Sequence, residues 1–425
     1  MGCARSIWNA KVEEERYYRT YARKYCTIGT YAPIDQTTSQ FKSKELSPWL
    51  SECPSQILRN SAVNWYQTYQ KFMSGKCGRP KRKPKTDKGS IYLTREVFRF
   101  DHCDDGNVRL FIGTKTNNIG YLSFKAHGKF EIPNSLYVRK ERGHYYVSFC
   151  YEQGQPDRKL STNEEHLAFL QGATREYLEE HTMGVDRGVA IPVCAGEQTY
   201  DFTHSQKKNM SKADRYIKRL QRKLARQQKG SNRRAKTKHR IAVHHAKKAN
   251  IRNDFAHKTS RLLVDSSAKI IVFEALRTAR MTRRPKAKQD EQGRFISNKA
   301  KQKAGLNKSI LNVGWHVIET YTYYKAYSSS KAVFKIPAPT TSQECAKCGH
   351  THPDNRKTQA LFVCGNCGNT DNADHNASLV IKKRAINLIL DTGTVLSGDG
   401  VLRTQSDSGR GGNRKTGRAK SSTSS

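Results

Sequence analysis

No stretch of this chain approaches the ~18–20 consecutive apolar residues that a membrane span requires, and no charged-then-apolar leader is visible. A membrane partner is therefore not expected. Acid is scarce: 37 Asp and Glu stand against 77 Lys and Arg, a formal net charge of +40. A solvated surface normally mixes both signs, so solubility alone does not explain the imbalance. A field of this sign and size attracts polyphosphate far more readily than a neutral metabolite, which makes nucleic acid the expected partner. A disulfide framework is missing too. Seven cysteines (Cys3, Cys26, Cys53, Cys77, Cys103, Cys150 and Cys194) are scattered without a pairing pattern, as suits a reducing cytoplasm.

What is present starts with the other four cysteines. Cys345 and Cys348 form one CxxC pair, and Cys364 and Cys367 form a second after fifteen residues. Two such knuckles close a tetrahedral thiolate site around Zn²⁺, the spacing of a zinc ribbon. Gly349 and Gly368 follow the second cysteine of each pair, where a knuckle needs a residue free to take positive φ. Two tight pairs suit a metal better than two disulfides.

At 425 residues the chain has room for two to four modules and a sizeable core. Residues 1 to about 88 read as helical, with Ile57, Leu58, Val63, Trp65, Tyr66, Tyr69 and Phe72 on one amphipathic helix that runs out at Gly75. The run Arg79-Pro80-Lys81-Arg82-Lys83-Pro84-Lys85 cannot be helical. Five cations in seven residues favour a phosphate-binding loop over a solvated linker. Met1-Gly2-Cys3-Ala4-Arg5-Ser6 matches an acylation pattern, but the pattern recurs by chance and acylation is not expected of so basic a chain. From about 89 to 155 short β-rich segments at regular spacing, with turns at Asp104-Asp105-Gly106-Asn107 and Arg142-Gly143-His144, predict a small β-barrel.

A different strand follows, Met183 to Val193, with Asp186 set among apolar residues and Gly184 and Gly188 beside it. Aspartate is disfavoured in a strand, and a buried carboxylate needs a partner or a metal. Residues 205–266 predict a basic helical hairpin broken at Gly230-Ser231-Asn232. Ala213, Ile217, Leu220 and Leu224 give its apolar stripe. Arg222, Lys223, Arg226, Arg233 and Arg234 belong to a face with almost no acid between, suited to tracking a phosphate backbone. The apolar strand Lys269–Phe273 ends on Glu274, and Asp374 opens a C-terminal helix for which it can serve as N-cap. Residues 393–425, rich in Gly, Ser and Thr, read as a disordered basic tail.

Asp186, Glu274 and Asp374 can converge on one edge of a mixed sheet. Oxygen ligands suit Mg²⁺ or Mn²⁺, and two such ions would clamp a scissile phosphate, activate water and stabilise a departing 3′ oxygen.

The order strand-Asp, strand-Glu, zinc ribbon and Asp-x-Asn-Ala resembles the split RuvC-type (RNase H-like) nuclease domain of TnpB proteins, encoded by insertion-sequence transposons and similar to miniature type V CRISPR effectors. The strings that carry it are Gly184 to Val189, Val272 to Leu276, Thr341 to Cys345, Cys348-Gly349-His350, Asn355-Arg356 and Asp374-His375-Asn376-Ala377. Leu306 to Leu311, Trp315, Tyr324-Lys325-Ala326 and Gly2 to Asn9 also fit. The implied fold is α/β and multidomain. It has a helical recognition lobe (1–88), a wedge-like β-barrel (89–155), RuvC-like parts I and II (180–338), an inserted zinc ribbon (339–372) and the RuvC part III helix (373–392).

The resemblance also implies a monomeric, cytoplasmic and nucleoid-associated RNA-guided DNA endonuclease. It would bind a guide RNA from the 3′ end of its own locus and double-stranded target DNA. Asp186, Glu274 and Asp374 map onto the family's catalytic, Mg²⁺- or Mn²⁺-binding positions, and the four cysteines onto its zinc site. Guide pairing would read sequence while the protein reads backbone shape and a short adjacent motif. Most relatives carry a short strand ahead of the Gly-Cys-Ala-Arg segment with which this sequence opens, so either an edge strand is lacking or the start is late. Ser378 replaces a common alanine and is expected to be tolerated.

The alternative is a nuclease-silent, RNA-guided DNA-binding repressor or transposition regulator; acids at all three positions argue against it. A single-strand transposase needs a His-hydrophobe-His pair, and here His350-Thr351-His352 falls inside the ribbon. A DDE enzyme orders its acids Asp, Asp, Glu rather than Asp, Glu, Asp.

Overall fold

The computed structural model of the chain describes residues 1–22, 38–85, 88–102, 107–126, 130–141, 143–151 and 160–404. They divide into two units, Met1–Asp157 and Arg158–Ser425. Cys26, Cys103, the turn residues Asp104 to Gly106, Arg142 and the segment 405–425 lie outside the described residues.

In the first unit, helix α1 (Gly2–Tyr17) buries Ala4, Ile7 and Trp8, and α2 (Ser55–Met73) buries Ile57, Leu58, Ala62 and Trp65. These spacings of three and four set one apolar stripe on each helix. Gly75, at φ +71°, turns the chain out of α2. The strands are β1 (Gly89–Thr94), β2 (Phe98–His102), β3 (Asn107–Gly113), β4 (Asn118–Lys125), β5 (Ser135–Glu141) and β6 (His144–Ser148). They pair as two antiparallel three-stranded sheets, β1-β5-β6 and β2-β3-β4, over one core that includes Leu93, Val97, Leu110, Leu136 and Val138. A closed barrel was expected; closure is not among the pairings of the described residues.

In the second unit α3 (Asn163–Leu170) and α4 (Arg175–His181) lead into β7 (Thr182–Asp186), β8 (Val193–Ala195) and β9 (Gln198–Tyr200). The hairpin α5 (His204–Ala225) and α6 (Asn232–Asp265) precedes β10 (Ile270–Glu274), the single turn α7 (Thr278–Met281) and a small ribbon, β11 (Lys288–Gln289) and β12 (Phe295–Ile296). Then come α8 (Ala300–Val313), α9 (Trp315–Ser328), β13 (Ala332–Ile336), β14 (Leu361–Val363), β15 (Thr370–Asn372), α10 (Ala373–Leu390), β16 (Thr394–Leu396) and β17 (Leu402–Thr404).

The main sheet runs β13-β10-β7-β8-β9, with β13, β10 and β7 parallel and β8 and β9 antiparallel. Every residue of β10 is buried. Ile271 and Phe273 join the core with Phe255, Leu263 and Ile318, whereas Ile270 and Val272 join the opposite core with Ile381 and Ile386 of α10. Helices on both faces are what a continuous apolar parallel strand demands.

Three expectations change. The strand carrying Asp186 ends there instead of running to Val193. Pro192 lacks a ladder donor, and a Cβ on Gly188 would stand 2.5 Å from the Ile191 carbonyl oxygen, so 187–192 is a tight connection and the chain returns as β8. Asn372, not Asp374, caps α10: its Oδ1 accepts from the amides of Asp374 (2.9 Å) and His375 (3.3 Å). The residues 394–404 are an ordered hairpin with Leu402 fully buried, bridged to the main sheet through Lys335 and Val401.

Candidate active site and metal centre

Asp186 ends β7 and Glu274 ends β10. The two strands run parallel with Phe273 opposite Val185, so the two acids occupy the next position at the same sheet edge. Asp374 reaches that edge from above. A Cβ on Gly184 would lie 2.1 Å from the carbonyl oxygen of Ser378 and 2.7 Å from the amide of Lys382. Only glycine lets α10 rest directly on β7, and this packing carries Asp374, one turn before Ser378, over the strand end.

Electrostatics reports the same neighbourhood. Burial pushes the Asp186 carboxyl up to about 7, and the nearby Glu274 and Asp374 carboxylates push in the same direction. Burial also raises Glu274, opposed by a hydrogen bond from the Thr341 hydroxyl and by the Arg187, Arg384 and Arg356 charges. Asp374 is 5% exposed, and its Oδ1 accepts from Nη2 of Arg356 at 3.1 Å. A set of buried carboxylates has the donor chemistry of a hard divalent cation.

The cysteines form the tighter cluster. Their four Sγ atoms lie within 4.8 Å of one another, which no other group of three or more His, Cys, Asp or Glu does among the described residues. Cys345 and Cys367 are 3.7 Å apart and Cys348 and Cys364 3.6 Å. Tetrahedral Zn–S bonds of ~2.3 Å would set sulfurs about 3.8 Å apart, so the residues fit zinc. The His350 amide, donating to Cys348, draws that thiol down to about 6, while Cys367, against a lowering backbone hydrogen bond at Asn369, is pushed up to about 11 by the neighbouring thiols; the four share their protons unevenly, and a metal would take both as thiolates. Gly349 and Gly368 take φ of +77° and +70°, as the knuckles require. Asn376 bolts this ribbon to α10, accepting from the Ala346 amide (3.0 Å) and donating to the Glu344 carbonyl (2.7 Å).

His375 turns its Nδ1 to Asp371, at 2.8 and 2.9 Å from its two oxygens. Ser378 donates to the His375 carbonyl and accepts from the Gly196 amide at 3.2 Å, so its hydroxyl serves as donor and acceptor at once.

The expected nucleic-acid contacts divide. Arg222, Lys223, Arg226 and Arg233 are exposed around the α5–α6 turn. Arg234 is not free to bind phosphate: its Nη1 donates to the carbonyls of Leu224 and Gln227, closing the end of α5. In the first unit, Lys81 is exposed, Arg79 pairs with Glu15, and Arg82 reaches Glu13 at 3.3 Å. Lys83 lies 3.4 Å over the Trp8 ring, where burial lowers its pKa. A cavity of about 630 Å³ lined by Arg5, Lys83, Lys85, Lys88, Arg139 and Lys140 was not anticipated, because it gathers cations distant in sequence. The parts played by Arg356, Thr341 and Arg187 were also missed. Their positions beside recognised motifs were the available signal.

Residues 148–284 match the family described as "Probable transposase" (OrfB_IS605), and residues 315–381 match the Cas12f1-like TNB domain. These two matches and the relatives below make the chain similar to TnpB/OrfB proteins. Across 89% of its length it is 28% identical to the Escherichia coli (strain K12) protein named "Putative RNA-guided DNA endonuclease InsQ", and covers 85% of that protein. It is 27% identical to the CRISPR-associated endodeoxyribonuclease Cas12f1 of Sulfoacidibacillus thermotolerans over 59% of this chain and 53% of that one. A Cas12f1–sgRNA–target DNA complex shares the fold at a TM-score of 0.51, covering 89% of this chain and 80% of that one at 13% identity. The TNB match spans all four cysteines and Asp374; the OrfB match spans Asp186 and Glu274. No helix among the described residues is long and apolar enough to cross a membrane.

Proposed function

We propose that this chain is a TnpB-type RNA-guided DNA endonuclease that hydrolyses phosphodiester bonds at one RuvC-like site. The observation that carries the proposal is the meeting of Asp186, Glu274 and Asp374 at the ends of β7 and β10 beneath α10. These carboxylates would hold two Mg²⁺ or Mn²⁺ ions, which when bound supply Lewis acidity for an in-line attack of water on the scissile phosphate. The protein's part is to aim the acids. Thr341 donates to Glu274, Arg356 to Asp374, and the strand ends fix their spacing. The structural Zn²⁺ on the four cysteines would hold the segment carrying Arg356 against α10.

The +40 charge supports guide and target binding, and relatives whose names describe RNA-guided endonucleases support a guide RNA; its origin at the 3′ end of the chain's own locus is part of the proposal. The first unit would act as recognition lobe and wedge, the second as nuclease. The test is co-purification of RNA with the protein expressed from its native locus, followed by cleavage of a duplex matching that RNA. Asp186→Ala should abolish cutting and leave RNA binding intact. Retained cutting would sink the assignment.

A further inference from the structure

Arg187, next in sequence to Asp186, is 5% exposed and points away from solvent into the sheet end. Its Nη2 donates to the main-chain carbonyl of Glu274, and its Nη1 donates to Oε2 of Glu319 at 2.6 Å. Its guanidinium lies 5.0 Å over the Phe273 ring. Glu319 in turn accepts from Lys335 at 3.1 Å. One guanidinium thus ties the ends of β7 and β10 to α9, and Lys335 brings in β13. The same helix makes a second contact: Trp315 Nε1 donates to the Gly188 carbonyl at 2.9 Å. Trp315 and Glu319 are four residues apart and share one face of α9, so this face grips the connection directly after Asp186 at two successive residues.

We propose that Arg187, held by Glu319 and flanked by Trp315, is a positioning residue for the carboxylate site: it fixes the register of Asp186 against Glu274 so that both acids can ligate the same cations. The inference rests on the metal-dependent reading above. Burying an arginine and a glutamate costs several kcal/mol in desolvation, and a packed apolar pair would hold α9 to the sheet as well. A planar fork, by contrast, can bond a main-chain oxygen and a carboxylate in fixed directions at once. Lysine cannot span both.

The sign of the effect separates positioning from mere charge. Arg187→Met removes a cation whose charge acts on the Glu274 carboxylate, so Coulomb's law alone predicts tighter divalent-cation binding. Positioning predicts looser binding. The measurement is Mn²⁺ affinity of the full-length protein by electron paramagnetic resonance of free Mn²⁺, with zinc content and melting temperature recorded alongside. Wild type should bind Mn²⁺, and Asp186→Ala should lose that binding. Arg187→Lys and Arg187→Met should bind roughly tenfold or more weakly, the usual cost of losing a residue that orients a ligand, with zinc retained.

Trp315→Phe, which removes only the indole donor and keeps the apolar ring, should weaken Mn²⁺ binding by a smaller factor and serves if the Arg187 variants do not fold. Unchanged or tighter Mn²⁺ binding in folded variants overturns the positioning role alone. Failure of wild type to bind Mn²⁺ through Asp186 overturns the metal-site reading and this inference with it.

Discussion

Arg356, a ribbon residue, donates to Asp374, a residue of α10, across 3.1 Å, and both side chains are largely buried. The zinc module therefore reaches into the carboxylate site itself.

Zinc loss should be felt there. Stripping the metal with a strong chelator, or Cys345→Ser, should release the Arg356 segment, abolish DNA cleavage and leave RNA co-purification unchanged. Arg356→Ala should reproduce the loss of cleavage while zinc stays at one per chain by metal analysis.

Gly184→Ala should be far worse than a methyl group usually is. The added Cβ meets main-chain atoms of α10 at 2.1 and 2.7 Å, which cannot move without lifting the helix. A loss of about 1–3 kcal/mol or more by denaturant unfolding is expected, with cleavage abolished. Wild-type stability in this variant would show that α10 can ride higher on β7.

Asp186 carries a pH signature in the metal-free protein. Its folded pKa of about 7 lies above the ordinary 3.8. The folded state therefore holds this proton where the unfolded chain has released it, and stability falls as pH rises between those values. Asp186→Asn should raise the melting temperature at pH 8 by an amount worth ~1–3 kcal/mol, with the gain vanishing near pH 4. Saturating Mg²⁺ should shrink the difference, because a cation relieves the same repulsion.

The basic hairpin offers a contrast across its turn. Arg222→Ala or Arg226→Ala should weaken nucleic-acid binding and lower the salt-dependence slope by about one per residue, with no change in stability. Arg234→Ala should do the reverse, lowering the melting temperature because the carbonyls of Leu224 and Gln227 lose their donor.

Much of the site was legible because its elements announce themselves locally. A CxxC pair needs no tertiary context, and an acid at the end of an apolar strand stands out by contrast with its neighbours. The hairpin break at Gly230 was equally plain, and Ser231 does cap the second helix. What stayed hidden depends on distant partners. Glu319 reads as an ordinary helix residue, and only the packing of α9 brings it to Arg187. The cap on α10 was misplaced by two residues because Asn and Asp compete equally well there. The strand after Asp186 was drawn too long because apolar Val189 and Ile191 mimic a continuing strand. The segment after 393 looked disordered by composition, yet Val401 and Leu402 suffice to pin a hairpin against the sheet. The two three-stranded sheets, finally, have the same alternation a barrel would have, so periodicity could not choose between them.

The bridge between Lys335 and Val401 has a consequence for timing. A ribosome delivers this chain N-terminus first: the basic first unit, then Asp186, then Glu274, then the ribbon and Asp374, and last the hairpin that closes against β13. A nascent chain can grip polyanion long before it owns a complete set of acids. Cutting at the proposed site, by contrast, must wait until Asp374 and the hairpin behind it have left the ribosome.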